Sequence, residues 1–431
     1  MAVSVRRKVR RRMSKRSLVS ITALLAALTI PTDSAAQKQA PALTTLYSFS
    51  GENGDGAGPY GAVVYSANGT LYGTTGYGGV YNGGTVFELT PPASGGSWTE
   101  TVLHSFGGGN DGSYPYAGVV SGTGGVLYGT TNYGGTSGMG TVYELTPPEA
   151  PGGVWTETVL LNFSGSDGAY PYSSPALAAS GSLYGTTELG GTSGYGTVYE
   201  LTPPVSGAAW TETVLHNFSG GNDGCCPYAV PFIGSNGVLY GTTVAGGTSD
   251  KGTVYKLTPP TKGGTWTETV LHNFNGSDGG FPYAGVVIGT GGIIYGTVAG
   301  SVNAGNGSAY ELNPPSGAGK GWTETVLHKF TGKTDGGAPH AVPAFGPNGT
   351  LYGTTFGGGT GQRFNGSGLI FQLTPPSGSG GWTETVLYVF QGGDDGASPN
   401  APLIPGTAGV FYGTTLGGGA FGEGTVFAFT P

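Results

Sequence analysis

Short runs in which apolar and β-branched residues alternate with polar ones recur along most of this chain, separated by clusters of Gly, Pro, Asn and Asp. Period-two alternation in short runs predicts strands rather than helices. The runs also repeat as a group. The string Leu-Tyr-Gly-Thr-Thr begins at Leu71 and returns at Leu127, Leu183 and Leu239, then with variation at Ile294, Leu351 and Phe411. Its tyrosines, at 72, 128, 184, 240, 295, 352 and 412, are spaced 56, 56, 56, 55, 57 and 60 residues apart.

Each copy holds four strand-like runs. In the second copy these are Tyr116 to Val120 (following Asp-Gly-x-x-Pro), Val126 to Thr131, Thr141 to Thr146, and Trp155 to Phe163. All are rich in Val, Thr, Tyr and Phe, which suit a pleated, half-buried surface. The pairs Asn68-Gly69, Gly124-Gly125, Asn236-Gly237 and Asn348-Gly349 predict tight antiparallel turns between runs one and two. Pro147-Pro148 and its equivalents end run three, because proline cannot donate to a ladder.

Four antiparallel strands in each of seven units allow either an open solenoid or a closed ring. The last copy stops after run three, at Phe429-Thr430-Pro431, while Leu43 to Phe49 reads as a fourth run with no copy of its own. A ring explains that split, because the N-terminal strand then completes the last unit. The predicted fold is all-β: a seven-bladed β-propeller of four-stranded blades, closed by the N-terminal strand. Run one would line the channel. The loops from run four to run one and from run two to run three would share one face.

Composition changes this picture little. Gly (89) and Pro (29) together would suggest disorder without a period, but aromatics at 11% and charged residues at only 9% oppose that reading. The N-terminus is different in kind. Arg6, Arg7, Lys8, Arg10, Arg11, Arg12, Lys15 and Arg16 precede an apolar stretch from Ser17 to Ile30 and the small residues Ser34-Ala35-Ala36. Residues 1–36 are therefore expected to be a signal peptide, and 37–431 a single secreted, extracellular seven-repeat domain. The leader holds eight of the 16 basic and one of the 24 acidic residues, leaving 8 against 23 and a net charge of −15. That excludes nucleic acid and anionic membranes as partners. No second apolar stretch is long enough to span a bilayer, and no C-terminal anchor follows, so the protein is expected to be a released monomer. Cys225 and Cys226 are the only cysteines. They rule out a disulfide framework and leave a vicinal disulfide or a thiol pair.

The pattern Leu-Tyr-Gly-Thr-Thr-x-x-Gly-Gly…Gly-Thr-Val-Tyr-Glu-Leu-Thr-Pro resembles the GloVer-type extracellular tandem repeat of bacterial choice-of-anchor proteins, over nearly the whole of 37–431. The resemblance implies export and a bacterial source and brings no catalytic residues. Kelch propellers share a Gly-Gly pair, a Tyr and a Trp per blade, but Tyr143 to Trp155 exceeds their spacing.

Candidate chemistry divides into repeated and singular residues. Asp55, Asp111, Asp167, Asp223, Asp278, Asp335 and Asp395 form one ring of Asp-Gly turns. A ring of carboxylates could take calcium or a polyol, with Asp111, Asp167, Asp223, Asp278 and Asp335 as the candidate ligands. The preferred reading is that each Asp accepts backbone N–H bonds and shapes its turn; no cofactor is expected. His104, His216, His272 and His328, and Glu100, Glu157, Glu212, Glu268, Glu324 and Glu384, repeat in the outer strand, where a catalytic group would be singular. Trp98, Trp155, Trp210, Trp266, Trp322 and Trp382 begin those strands and are expected to pack between blades. Symmetry breaks late in the chain. The sixth copy has four extra residues within Gly357 to Gly368, which carry Arg363, the only arginine after the leader. It has His340 where the tyrosine after proline usually stands, the seventh copy has Asn400 there, and the fifth has Val298 for the second Thr. Arg363, His340, Asn400, Asp394 and Asp395 are the candidate ligand-binding residues. The expected function is a non-catalytic binding or scaffold module for extracellular glycan or protein. The alternative is a glycan lyase or hydrolase with its site at blades five to seven.

Overall fold

In the computed structural model the described residues are 40–431, except 151, 206–208, 301–305, 318, 361–365 and 379. The leader assigned to 1–36 lies outside them, as does Arg363. Seven four-stranded antiparallel sheets form the blades of a β-propeller. Blade one consists of Val64–Tyr65, Leu71–Thr75, Thr85–Thr90 and Thr99–Ser105, paired in that order from the channel outward. Blades two to six repeat the order. Blade seven takes Ile404–Pro405, Phe411–Thr415 and Thr425–Thr430 from the C-terminal end and its outermost strand, Ala42–Ser48, from the N-terminal end. That last pairing runs from Ala42 opposite Thr430 to Ser48 opposite Thr425 and closes the ring as the sequence predicts.

The Leu-Tyr-Gly-Thr-Thr string is the second strand of every blade, and each of its residues has a distinct job. The leucine is fully buried against the preceding blade. The glycine lies under an aromatic ring of the third strand: Gly129 pairs with Tyr143, and a Cβ at Gly129 would sit 2.4 Å from Tyr143 Cζ. The first threonine donates across the blade boundary to a carbonyl of the next innermost segment. Thr74 reaches Ala117 O at 2.6 Å and Thr130 reaches Ser173 O at 3.0 Å; Thr414 reaches Gly61 O at 3.0 Å, joining blade seven to blade one. The second threonine meets the first residue of strand three, as Thr75 meets Thr85 at 2.8 Å.

The innermost strand is shorter than the sequence reading of Tyr116 to Val120. In blade two only Val120–Ser121 joins the ladder. The residues before it bond instead to the neighbouring blade's threonine and face the channel, so they satisfy their backbone without a strand partner. The turns that follow behave as their Asn-Gly and Gly-Gly pairs predict: Asn236 and Gly237, and Asn348 and Gly349, all have positive φ. In Asn68-Gly69 only the glycine does.

Packing lies between blades rather than within them. The cluster Val86, Leu103, Phe106, Leu127, Tyr143 and Leu145 joins blades one and two, with Trp155 against it. Tyr72 meets Trp155 edge to face at 6.2 Å, and Tyr128–Trp210, Tyr184–Trp266 and Tyr295–Trp382 repeat that contact.

Candidate functional site

The loop from strand four to the next blade and the loop between strands two and three come together on one face. Gly56–Ala57 pairs with Tyr77–Gly78 as a small ribbon. Single bridges such as Ser113 with Tyr133, Ala169 with Leu189 and Cys225 with Ala245 repeat the link in other blades. Each turn aspartate shapes the first of these loops. Asp55 accepts Ser50 N at 2.7 Å, Asp223 accepts Ser219 N at 2.8 Å, and Asp335 accepts Thr331 N at 2.9 Å. Asp111, Asp167, Asp278 and Asp395 accept the corresponding N–H of Gly107, Ser164, Asn275 and Gln391. The outer strand then braces the same carboxylate: His272 Nε2 is 3.2 Å from Asp278, and where blade six has a tyrosine, Tyr388 donates to Asp395 at 3.0 Å. Burial lowers the pKa of these histidines against the pull of the aspartate. Among the described residues no three His, Cys, Asp or Glu side chains gather as a metal site would require.

Each of these loops ends in proline followed by a residue that points into the channel. Those seven residues are Tyr60, Tyr116, Tyr172, Tyr228, Tyr283, His340 and Asn400, and they line a cavity of about 780 Å³. They form a girdle in which each touches the next. Ring centroids are 4.9 Å apart for Tyr60–Tyr116, 5.4 Å for Tyr116–Tyr172, 4.6 Å for Tyr172–Tyr228, 5.4 Å for Tyr228–Tyr283 and 5.2 Å for Tyr283–His340. His340 Nδ1 donates to Asn400 Oδ1 at 2.9 Å, and Asn400 Nδ2 reaches Tyr60 O at 3.5 Å, which completes the circle. His340 also stacks on Phe356 at 5.0 Å, and burial holds its pKa below the usual imidazole value. Below the girdle the lining is apolar, with Val64, Val120, Ala176 and Ile404 among its residues. No carboxylate, lysine or cysteine lines the cavity among the described residues. One acid acts from behind: Tyr228 donates to Glu188 at 2.8 Å, and burial raises the Glu188 pKa.

Of the residues singled out in the sequence, His340 and Asn400 are brought together in this girdle. Asp394 and Asp395 lie instead at the outer-strand end of their loop, where Asp394 O accepts Thr45 Oγ1 and Asp395 is occupied by Gln391 and Tyr388. Cys225 and Cys226 are free thiols with sulfurs 2.7 Å apart, just before Pro227 and Tyr228. The sequence reading passed over the five girdle tyrosines. Their signal is the column after proline, aromatic in five copies of seven, but repetition alone does not separate a binding residue from a structural one.

The Gloeobacter/Verrucomicrobia repeat model matches residues 35–188, 172–323 and 284–431, three overlapping stretches that take in the whole propeller. The chain belongs to this family. No curated protein matches the sequence. Solved structures share the propeller at low identity. An ancestral GH74 enzyme is 13% identical with a TM-score of 0.50, over 87% of this chain and 47% of that one. The extracellular domain of a putative one-component system of B. thetaiotaomicron is 11% identical with a TM-score of 0.50, over 90% and 42%. Trypanosoma rangeli sialidase in complex with sialic acid is 11% identical with a TM-score of 0.41, over 91% and 59%. At these identities the likeness to the two structures with a TM-score of 0.50 is one of fold. This member of the Gloeobacter/Verrucomicrobia repeat family is thus a seven-bladed propeller whose most differentiated surface is the girdled mouth of its channel.

Proposed function

We propose that this protein is an exported, non-catalytic binding module that holds a glycan at the mouth of its channel. The observation that carries the reading is the closed girdle of five tyrosines, His340 and Asn400 around a cavity of small-molecule size. Tyrosine offers a rigid apolar face and a hydroxyl at little cost in conformational entropy, which suits a ligand that is apolar on its ring faces and polar at its rim. Glycoside hydrolysis of the usual kind uses two carboxylates facing the bound sugar, and the described lining supplies none. Export fits the basic, then apolar, then small-residue order of 1–36.

The test is a glycan-array screen of residues 37–431. A set of related glycans should bind, and Tyr116→Ala and Tyr172→Ala should each weaken binding about tenfold or more, the scale of an aromatic anchor. Binding that survives both substitutions would place the ligand elsewhere. Turnover of a bound glycan would replace the binding reading with an enzymatic one.

A further inference from the structure

Beyond the girdle, the seven blades are not alike. Two loop positions rise on the same face. One is the second residue after Leu-Tyr-Gly-Thr-Thr: Tyr77, Tyr133, Leu189, Ala245, Gly300, Gly357 and Gly417 in blades one to seven. The other is the residue before the girdle proline: Gly58, Tyr114, Tyr170, Cys226, Phe281, Ala338 and Ser398. On blades one to three these positions build a row. Tyr77 meets Tyr114 at 5.6 Å, Tyr114 meets Tyr133 at 5.9 Å, and Tyr133 meets Tyr170 at 5.1 Å. The row stands on the girdle, with Tyr77 OH 3.1 Å from Tyr116 OH and Tyr114 stacked on Tyr116 at 17°. Tyr77 and Tyr133 are 38% and 46% exposed, while Tyr114 and Tyr170 are half-buried behind them. On blades six and seven the same positions are Gly, Ala and Ser, so the mouth has an aromatic wall on one side and bare backbone on the other.

Charge is divided in the same way. Residues 40–250 contain no lysine or arginine, and the first cation after the leader and Lys38 is Lys251. The tyrosine wall therefore stands in a sector that holds only acids, such as Glu188 and the turn aspartates. An anionic ligand would find no counter-charge there and would be repelled.

We infer that the row Tyr77–Tyr114–Tyr133–Tyr170 extends the channel site outward into a platform for a linear, neutral polysaccharide. The inference rests on the glycan-binding reading above and adds the ligand's charge, its length and the direction it takes across the face. Tyr77 and Tyr133 present the exposed contacts, and Tyr114 and Tyr170 hold them edge to face. A protein partner fits the row less well, because a stable protein interface needs roughly 800 Å² from each side and the row is a single file of rings.

Calorimetric titration of residues 37–431 with neutral β-1,4-linked gluco- and manno-oligosaccharides of two to six sugars tests this, with oligogalacturonides of equal length as the acidic control. The neutral series should tighten about tenfold or more from the shortest to the longest, and the acidic series should not bind. A double variant, Tyr77→Ala with Tyr133→Ala, should bind the disaccharide as the unaltered protein does and lose the gain with length. Disaccharide binding with no gain in length, a gain that survives the double variant, or oligogalacturonides bound as tightly as the neutral series would overturn the platform while leaving the channel site in place. Absence of binding at every length, neutral and acidic, would overturn the channel reading and the platform together.

Discussion

At the scale of the residue, the repeat is a set of close fits. The glycine of Leu-Tyr-Gly-Thr-Thr exists because an aromatic ring lies on it: Gly73 under Phe87, Gly129 under Tyr143, Gly353 under Phe371, Gly413 under Phe427. Gly129→Ala should cost about 1–3 kcal/mol, the usual penalty for overpacking a tight core, and a denaturant midpoint will measure it. The ring's hydroxyl is a different matter. Tyr143, Tyr199, Tyr255 and Tyr310 bury theirs with no partner among the described residues, and three other blades use phenylalanine at the same place. Tyr143→Phe should therefore leave the midpoint unchanged or raise it, since an unpaired buried hydroxyl contributes only its desolvation cost; a loss above about 1.5 kcal/mol would reveal a bond to that oxygen. The residue before each girdle proline is held in left-handed backbone in every blade, with φ between 52° and 62°. Only blade one has glycine there, Gly58. Ala338→Gly should stabilise by up to about 1 kcal/mol, because relief of left-handed strain outweighs the added chain entropy.

At the scale of the element, the outer strand does more than the sequence suggested. Its alternation was legible and so was its place, yet the bulge that follows Val86 in its pairing with strand three, and recurs in the other blades, was not. A bulge changes neither composition nor period enough to be seen in one sequence. It turns Leu103 inward onto the next blade's core and leaves His104 beside Asp111. The innermost strand was over-read for a related reason: Tyr116 to Val119 looks like a strand, but its bonds go sideways to the neighbouring blade's threonine. The outer-strand glutamates are the least expected part. Glu100, Glu157, Glu212, Glu268, Glu324 and Glu384 are half-buried, each with an oxygen that has no partner among the described residues. Burial first, and then an aspartate of the adjoining turn, pushes their pKa from 4.5 up to about 7. A folded state that holds these protons more tightly gains stability as pH falls from 7 towards 4.5 and carries the full penalty above 7. The histidines work against this below pH 6.5, since their folded pKa is lowered and folding resists their protonation. Comparing the parent with a Glu157→Gln, Glu212→Gln variant removes the histidine contribution. The variant should be the more stable at pH 8, with the gap closing by pH 5; parallel curves would mean that these carboxyls titrate normally.

At the scale of the whole molecule, symmetry is both what the sequence reveals and what it conceals. Seven copies and a displaced fourth strand were enough to predict a closed ring. The same repetition makes the girdle tyrosines look like scaffold, and of the irregular candidate positions in the late copies that the structure describes, His340 and Asn400 line the channel. What marks the mouth is a drift of aromatic residues across adjacent loop columns, and that acquires meaning only once the ring brings Tyr77, Tyr114, Tyr133 and Tyr170 side by side. Closure itself depends on one strand. Ala42–Ser48 pairs with Thr425–Thr430 at six positions, and Leu43, Leu46 and Tyr47 add apolar contacts to the clusters on either side of blade seven. Deleting residues 37–50 removes those contacts and the fully buried Phe49 and leaves Thr425–Thr430 as an exposed edge. At roughly 0.5–1.5 kcal/mol for each lost hydrogen bond, the loss should reach several kcal/mol before any apolar term is added. The exposed edge should also pair between molecules, because unpaired ladder groups recruit strands. The truncated protein is therefore expected to melt well below the parent and to elute as dimers or larger species. A synthetic peptide of residues 37–50 added in excess should restore both the melting temperature and the monomeric elution. An unchanged melting temperature after the deletion would mean that the ring is held by the inner threonine bonds, such as Thr414 to Gly61, and that the N-terminal strand only caps it.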